Sequence, residues 1–112
     1  MNIDYFKEFN VAVTICDNNG IIVYMNDKSK MTFQKHTGDT LIGQSIFDCH
    51  PEKAAAKIKE LLRTKKSNTY TIRKKNVRKL IHQLPWYENN ECRGLVELSV
   101  EIPETLPEYI RD

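Results

Sequence analysis

Asn18-Asn19-Gly20 stands between two β-branched, mostly apolar runs, Val11-Ala-Val-Thr-Ile-Cys-Asp17 and Ile21-Ile-Val-Tyr-Met25. Asparagine and glycine accept the positive φ angles of a tight turn, and the flanking residues favour extended backbone, so the segment predicts a β-hairpin. Asn26 and Asp27 can cap a short helix from Lys28 to about Phe33; His36-Thr-Gly-Asp-Thr40 then breaks the pattern and Leu41-Ile-Gly-Gln-Ser-Ile-Phe47 connects irregularly. Farther on, Pro51 can open a helix with His50 at its cap. Ala54, Ala55, Ile58, Leu61 and Leu62 fall on one face of it, and Arg63, Lys65 and Lys66 crowd its last turn. Three strand-like runs follow, Asn68 to Lys74, Arg78 to Tyr87 and Cys92 to Ile102, with turns at Lys75-Asn76 and at Glu88-Asn-Asn-Glu91. Two strands, a helical middle and three strands predict an α+β fold with one antiparallel sheet. The strands are too apolar to leave both faces in water, so short helices should cover one face and enclose the core.

A chain of 112 residues is one domain, with 1–8 expected as a leader, 9–103 as the folded unit and 104–112 as a polar tail after Pro103. The 40% hydrophobic and 29% charged residues exclude a disordered chain, and a net charge of +2 is too small for electrostatics to dominate nucleic-acid or membrane binding. No apolar stretch is long enough to span a membrane. Met1-Asn2-Ile3-Asp4 carries an acid where a signal peptide has a basic and then apolar run, so a cytoplasmic protein is expected. Cys16, Cys49 and Cys92 are odd in number and form no CxxC pair, which reads as reduced thiols.

Val13 to Asp17 with Asn18-Asn19-Gly20, then Ile22-Val23-Tyr24-Met25-Asn26, then Leu41-Ile42-Gly43-Gln44-Ser45-Ile46-Phe47, resemble the opening half of a PAS domain. Leu84-Pro85-Trp86-Tyr87, the turn Glu88 to Glu91, and Gly94 to Ile102 resemble its last two strands. The resemblance covers roughly Phe9 to Pro103. Asp48-Cys49-His50-Pro51-Glu52-Lys53 is similar to a subgroup often attached to hemerythrin-like domains. It implies a five-stranded antiparallel sheet with helices on one side, and a sensory or adaptor role in signal transduction. Such domains bind a small ligand or cofactor between sheet and helices, or dimerise, and pass a change to an output domain. Here no kinase, cyclase or DNA-binding segment is expected within the chain, so signalling would act through a partner in trans or through oligomerisation.

Family photoreceptors form a flavin adduct through a cysteine of a Gly-x-Asn-Cys-Arg-Phe segment; Ile46 holds that position here, which disfavours flavin. Oxygen sensors of the family ligate haem through a histidine in the long helix, and Ala54 to Lys59 contains none, which disfavours haem. Cys49 beside a helix start reads as a small packed thiol in preference to a nucleophile. His50 with Cys49 lacks a third ligand, so no metal is expected; His36 and His82 are isolated. Catalytic motifs are lacking: no nucleophile elbow, phosphate loop or HExxH is present, and Glu97, Ser99 and Glu101 read as an ordinary solvent-facing set, so no enzyme is expected. The basic run Arg73-Lys74-Lys75-Asn76-Val77-Arg78-Lys79 lacks the interleaved aromatics that stack on bases, so nucleic acid is not an expected partner.

A ligand site has a more definite basis. If Pro85 matches the proline of the family's penultimate strand, alternation places Ile81 and Gln83 on its inner face, and the apolar parity of the last strand adds Val96 and Leu98. Gln83 among aliphatics should meet a backbone group, a water or a ligand, since leaving it unpaired costs roughly 1–3 kcal/mol. Phe47, Ile58, Leu62, Tyr70 and Ile72 complete the expected cavity wall, and would equally serve a filled core. The alternative is a dimerisation or interaction module with no ligand. Leu80 and Leu84 on the outer face, with Phe6 and Phe9 in the leader, are its interface candidates and make a homodimer the expected assembly.

Overall fold

The computed structural model describes residues 2–33 and 41–112; His36 and the break around it lie outside the described residues. The predicted hairpin is β1 (Ala12–Asp17) and β2 (Ile22–Met25). Its turn is fixed by the Asp17 carboxylate, which accepts the backbone N–H of Asn19 at 2.9 Å and of Ile21 at 3.0 Å. Gly20 takes φ +78° there, and a Cβ on it would lie 2.5 Å from the Phe47 ring, so no other residue fits without movement. Two short helices follow, α1 (Asp27–Thr32) and α2 (Glu52–Thr64), then β3 (Asn68–Lys74), β4 (Val77–Glu88) and β5 (Glu91–Ile102).

The closing meander turns twice on two-residue loops. Lys75 and Asn76 have φ of 51° and 63°, and Asn89 and Asn90 have 52° and 66°. Positive φ at both central residues matches the right-handed strand twist, which is why asparagine is found in each turn. All neighbours pair antiparallel in the order β2-β1-β5-β4-β3, so the first strand lies beside the last and the α+β expectation holds. The irregular connector has a defined task. Ile22 N–H donates to the Gln44 carbonyl at 2.9 Å, Gly43 N–H to Ile22 at 2.7 Å and Ile46 N–H to Gly20 at 2.7 Å, so backbone groups on the β2 edge are satisfied.

Ile58 and Leu61 of α2 pack with Cys16, Ile22 and Leu95 into the core, with Phe47 and Leu62 against its margin. Asn26 joins the parts around it. Its side chain caps α1 by accepting Ser29 N–H at 3.0 Å, accepts Val13 N–H at 2.9 Å, and donates to the carbonyls of Phe6 and Val11 at 2.8 Å each. The leader is therefore tied to the fold. Asp27 N–H also donates to the Lys7 carbonyl at 2.9 Å, and Tyr24 Oη donates to the Asp4 carboxylate.

Two expectations need correction. His50 does not cap α2: the cap is Pro51, and the His50 ring turns back so that Nδ1 lies 2.8 Å from the Ile46 carbonyl. The parity of β5 is the reverse of that expected. Leu95 is in the core opposite Cys16 and Pro85, so Glu97, Ser99 and Glu101 share the helix-covered face, while Val96 and Leu98 lie on the other face opposite Leu84 and His82. Apolar residues line both faces of β5, and hydrophobicity alone picked the wrong set.

Candidate functional site

Between the sheet and α1 lies a cavity of about 170 Å³. Ala12 and Thr14 of β1, Glu97 and Ser99 of β5, Ile81 of β4 and Tyr70 and Ile72 of β3 supply its floor. Thr32, Phe33 and His50 face them, and Lys74 and Lys79 stand at the hairpin end. Each floor residue is inward by strand alternation, and cross-strand pairing aligns Thr14 with Glu97, Glu97 with Gln83, and Gln83 with Asn68.

Hydrogen bonds link three members of that row. Asn68 Nδ2 donates to Gln83 Oε1 at 2.9 Å, and Gln83 Nε2 donates to Glu97 Oε1 at 2.7 Å. On the other side of Glu97, the Thr14 and Ser29 hydroxyls bond to each other. Gln83 is only 4% exposed, so its amide needed partners, and it found two side chains in place of a backbone group. A second opening of about 380 Å³ lies between α2 and β3, where Ile58, Lys57, Asn68, Tyr70 and Gln83 form its walls.

The electrostatics favour neutral, protonated neighbours around one acid. Burial raises the Tyr70 phenol, and the Glu97 charge adds to it. Burial likewise raises Cys49, with Glu97 and Asp48 contributing, so proximity to the start of α2 does not make it a reactive thiolate. Cys16, fully buried, is pushed up to about 11, chiefly by desolvation. His50 Nδ1 must carry its proton, because the Ile46 carbonyl can only accept, which leaves Nε2 as an acceptor in the neutral ring.

Of the expected cavity residues, Tyr70, Ile72 and Ile81 line the cavity, and Ile58 and Gln83 line the second opening. Phe47 and Leu62 belong to the core margin, and Val96 and Leu98 to the opposite face. Glu97 and Ser99 were not foreseen as site residues. The polar alternation Glu97-Leu98-Ser99 is the sequence signal for them, readable only once Leu95 is known to face Cys16. The basic hairpin is partly occupied: both Arg73 and Arg78 contact Glu104 of the tail. His82 bonds Thr69 on the outer face, with Nδ1 at 2.7 Å from the hydroxyl. Among the described residues no group of three metal-ligating side chains forms, and no helix is long and apolar enough to cross a membrane.

A five-stranded antiparallel sheet with helices over one face is the arrangement the resemblance implied, and the sequence pattern of the PAS domain family matches residues 10–90. The chain belongs to the PAS domain family. Solved structures agree on the fold. The PAS domain of BvgS from Bordetella pertussis is 18% identical with TM-score 0.65, covering 88% of this chain and 82% of that one. A sensory box sensor histidine kinase from Vibrio cholerae is 16% identical with TM-score 0.62, covering 88% and 86%. The Aer2 receptor from Vibrio cholerae, described as a dual PAS-heme oxygen sensor, is 17% identical with TM-score 0.59, covering 84% and 96%. No curated protein sequence matches this PAS domain. Domains of this family are typical of signal-transduction sensors.

Proposed function

We propose that this PAS domain is a cytoplasmic sensory or adaptor module that binds a small organic molecule noncovalently between sheet and helices, without chemistry of its own. The observation that carries this reading is the cavity of about 170 Å³ whose floor includes Thr14, Glu97 and Ser99, with Gln83 and Asn68 continuing the row from Glu97 toward the second opening. A cavity floored by hydrogen-bonded polar groups with apolar walls fixes a ligand's orientation as well as its burial. Haem and a flavin adduct are left out because α2 carries no histidine and Ile46 stands at the adduct position. The Cys49-His50-Pro51 segment favours the subgroup often attached to hemerythrin-like domains. Native mass spectrometry of the purified protein is expected to detect a retained small molecule, or else a metabolite panel to contain one that raises the melting temperature. A chain that carries nothing and responds to nothing would leave the interaction-module reading in its place.

That second reading has its own support. Leu80 pairs with Val100 and Leu84 with Val96 on the face without helices, which gives the sheet an apolar outer strip. Phe6 and Phe9, 48% and 47% exposed, meet edge to face at 5.3 Å in the leader. Light scattering at high micromolar concentration is expected to report a homodimer, and Leu84→Glu a monomer. A monomeric wild-type chain under those conditions would remove the dimer.

A further inference from the structure

The polar row of the cavity is oriented by one constraint. An ionised carboxylate can only accept hydrogen bonds, so Gln83 must turn its NH₂ toward Glu97, and its carbonyl is then left to receive the Asn68 amide. Glu97 is held through Oε1, while Oε2 receives no hydrogen bond from a described residue. The Ser99 hydroxyl, on the same floor, and the Tyr70 phenol are also unbonded among the described residues. No ion pair within the described residues neutralises Glu97; Lys79 of β4 is the register partner of Glu101, whose carboxylate pairs with Lys28 at 3.6 Å. A half-buried carboxylate positioned by its neighbours, with one oxygen open to the cavity, favours a positively charged group at its own end, away from Lys74 and Lys79 at the hairpin end, because charge-assisted hydrogen bonds are roughly twice as strong as neutral ones.

We propose that the ligand is a small organic cation, a compact apolar body carrying one amidinium, guanidinium or ammonium group, with its nitrogen on Glu97 Oε2 and its body against Ile81, Ala12 and Phe33. The inference rests on reading the cavity as a ligand site and adds the chemical class. Size agrees with it: a cavity of about 150 Å³ holds a benzene ring, and this one measures about 170 Å³. The charged nitrogen displaces no protein donor, since Gln83 Nε2 holds Oε1 and no described residue donates to Oε2.

Three near-isosteric probes test it on the full chain: benzamidine, benzamide and benzoate, titrated by heteronuclear NMR. Benzamidine is expected to move the amide resonances of Ile81, Glu97 and Ser99, with a Kd at least about tenfold below that of benzamide and with benzoate weakest. Glu97→Gln is expected to bring benzamidine to within about twofold of benzamide. Because the wild-type ranking needs no variant, a Glu97→Gln chain that fails to fold does not blunt the test. Equal binding of all three at this site, or a preference for benzoate, overturns the cation assignment and leaves the cavity reading standing. If none of the probes moves those resonances, both fall together.

Discussion

Asn26→Ala is expected to lower the unfolding free energy by about 3–5 kcal/mol, a large part of the roughly 5–15 kcal/mol that holds a domain of this kind together. Asn26 is 1% exposed and its amide serves four backbone groups: Val13 N–H, Ser29 N–H, and the Phe6 and Val11 carbonyls. Losing the cap of α1 costs about 1 kcal/mol, and each backbone group left buried and unpaired costs about 1–3 kcal/mol more where water cannot reach it. Urea denaturation followed by circular dichroism reads the difference directly. Asn26→Asp separates the contributions, because it keeps the acceptor for Val13 and Ser29 and loses the donor to Phe6 and Val11. It should fall between wild type and Asn26→Ala. A loss below about 1 kcal/mol in Asn26→Ala would mean that water replaces the amide and that the leader is not fastened through it.

The second large effect is at Gly94. A Cβ there would lie 1.9 Å from the Cys16 carbonyl oxygen and 2.8 Å from Asp17 Cα, both backbone atoms of the paired strand. A flexible side chain yields to such a contact, whereas a strand backbone yields only by moving away from its partner. The same Cys16 carbonyl accepts Trp86 Nε1–H at 3.1 Å, so separation also strains the packing of β4. Gly94→Ala is expected to cost about 3 kcal/mol or more, at or beyond the upper end of the overpacking range. At roughly 4–8 °C per kcal/mol the melting temperature should fall by more than about 10 °C in differential scanning fluorimetry. A variant melting within about 2 °C of wild type would show that β1 and β5 do not approach each other this closely.

How far the sequence could be read follows from which signals are local. The hairpin at Asn18-Asn19-Gly20, the capping role of Asn26 and the asparagine-bearing turns at Lys75-Asn76 and Asn89-Asn90 depend on residues adjacent in the chain, and the structure has them where expected. Gln83 and Ile81 were placed inward correctly because Pro85 set the parity of β4. The parity of β5 depended on a partner about eighty residues away, and its two faces offer apolar sets of equal strength. Val96 and Leu98 therefore drew attention away from Glu97 and Ser99, whose burial beneath α1 no local pattern announces. His50 misled for a related reason: a ring beside a helix start suggests a cap, yet the Ile46 carbonyl four residues earlier was the better partner.

The strand order β2-β1-β5-β4-β3 has a consequence for how the molecule comes into being. During synthesis β1 emerges early but can pair on its inner side only with β5, the last of the five strands to leave the ribosome. Until then the newborn hairpin must wait with one edge open, so the final closure joins ends far apart along the chain and should be the slow step of folding.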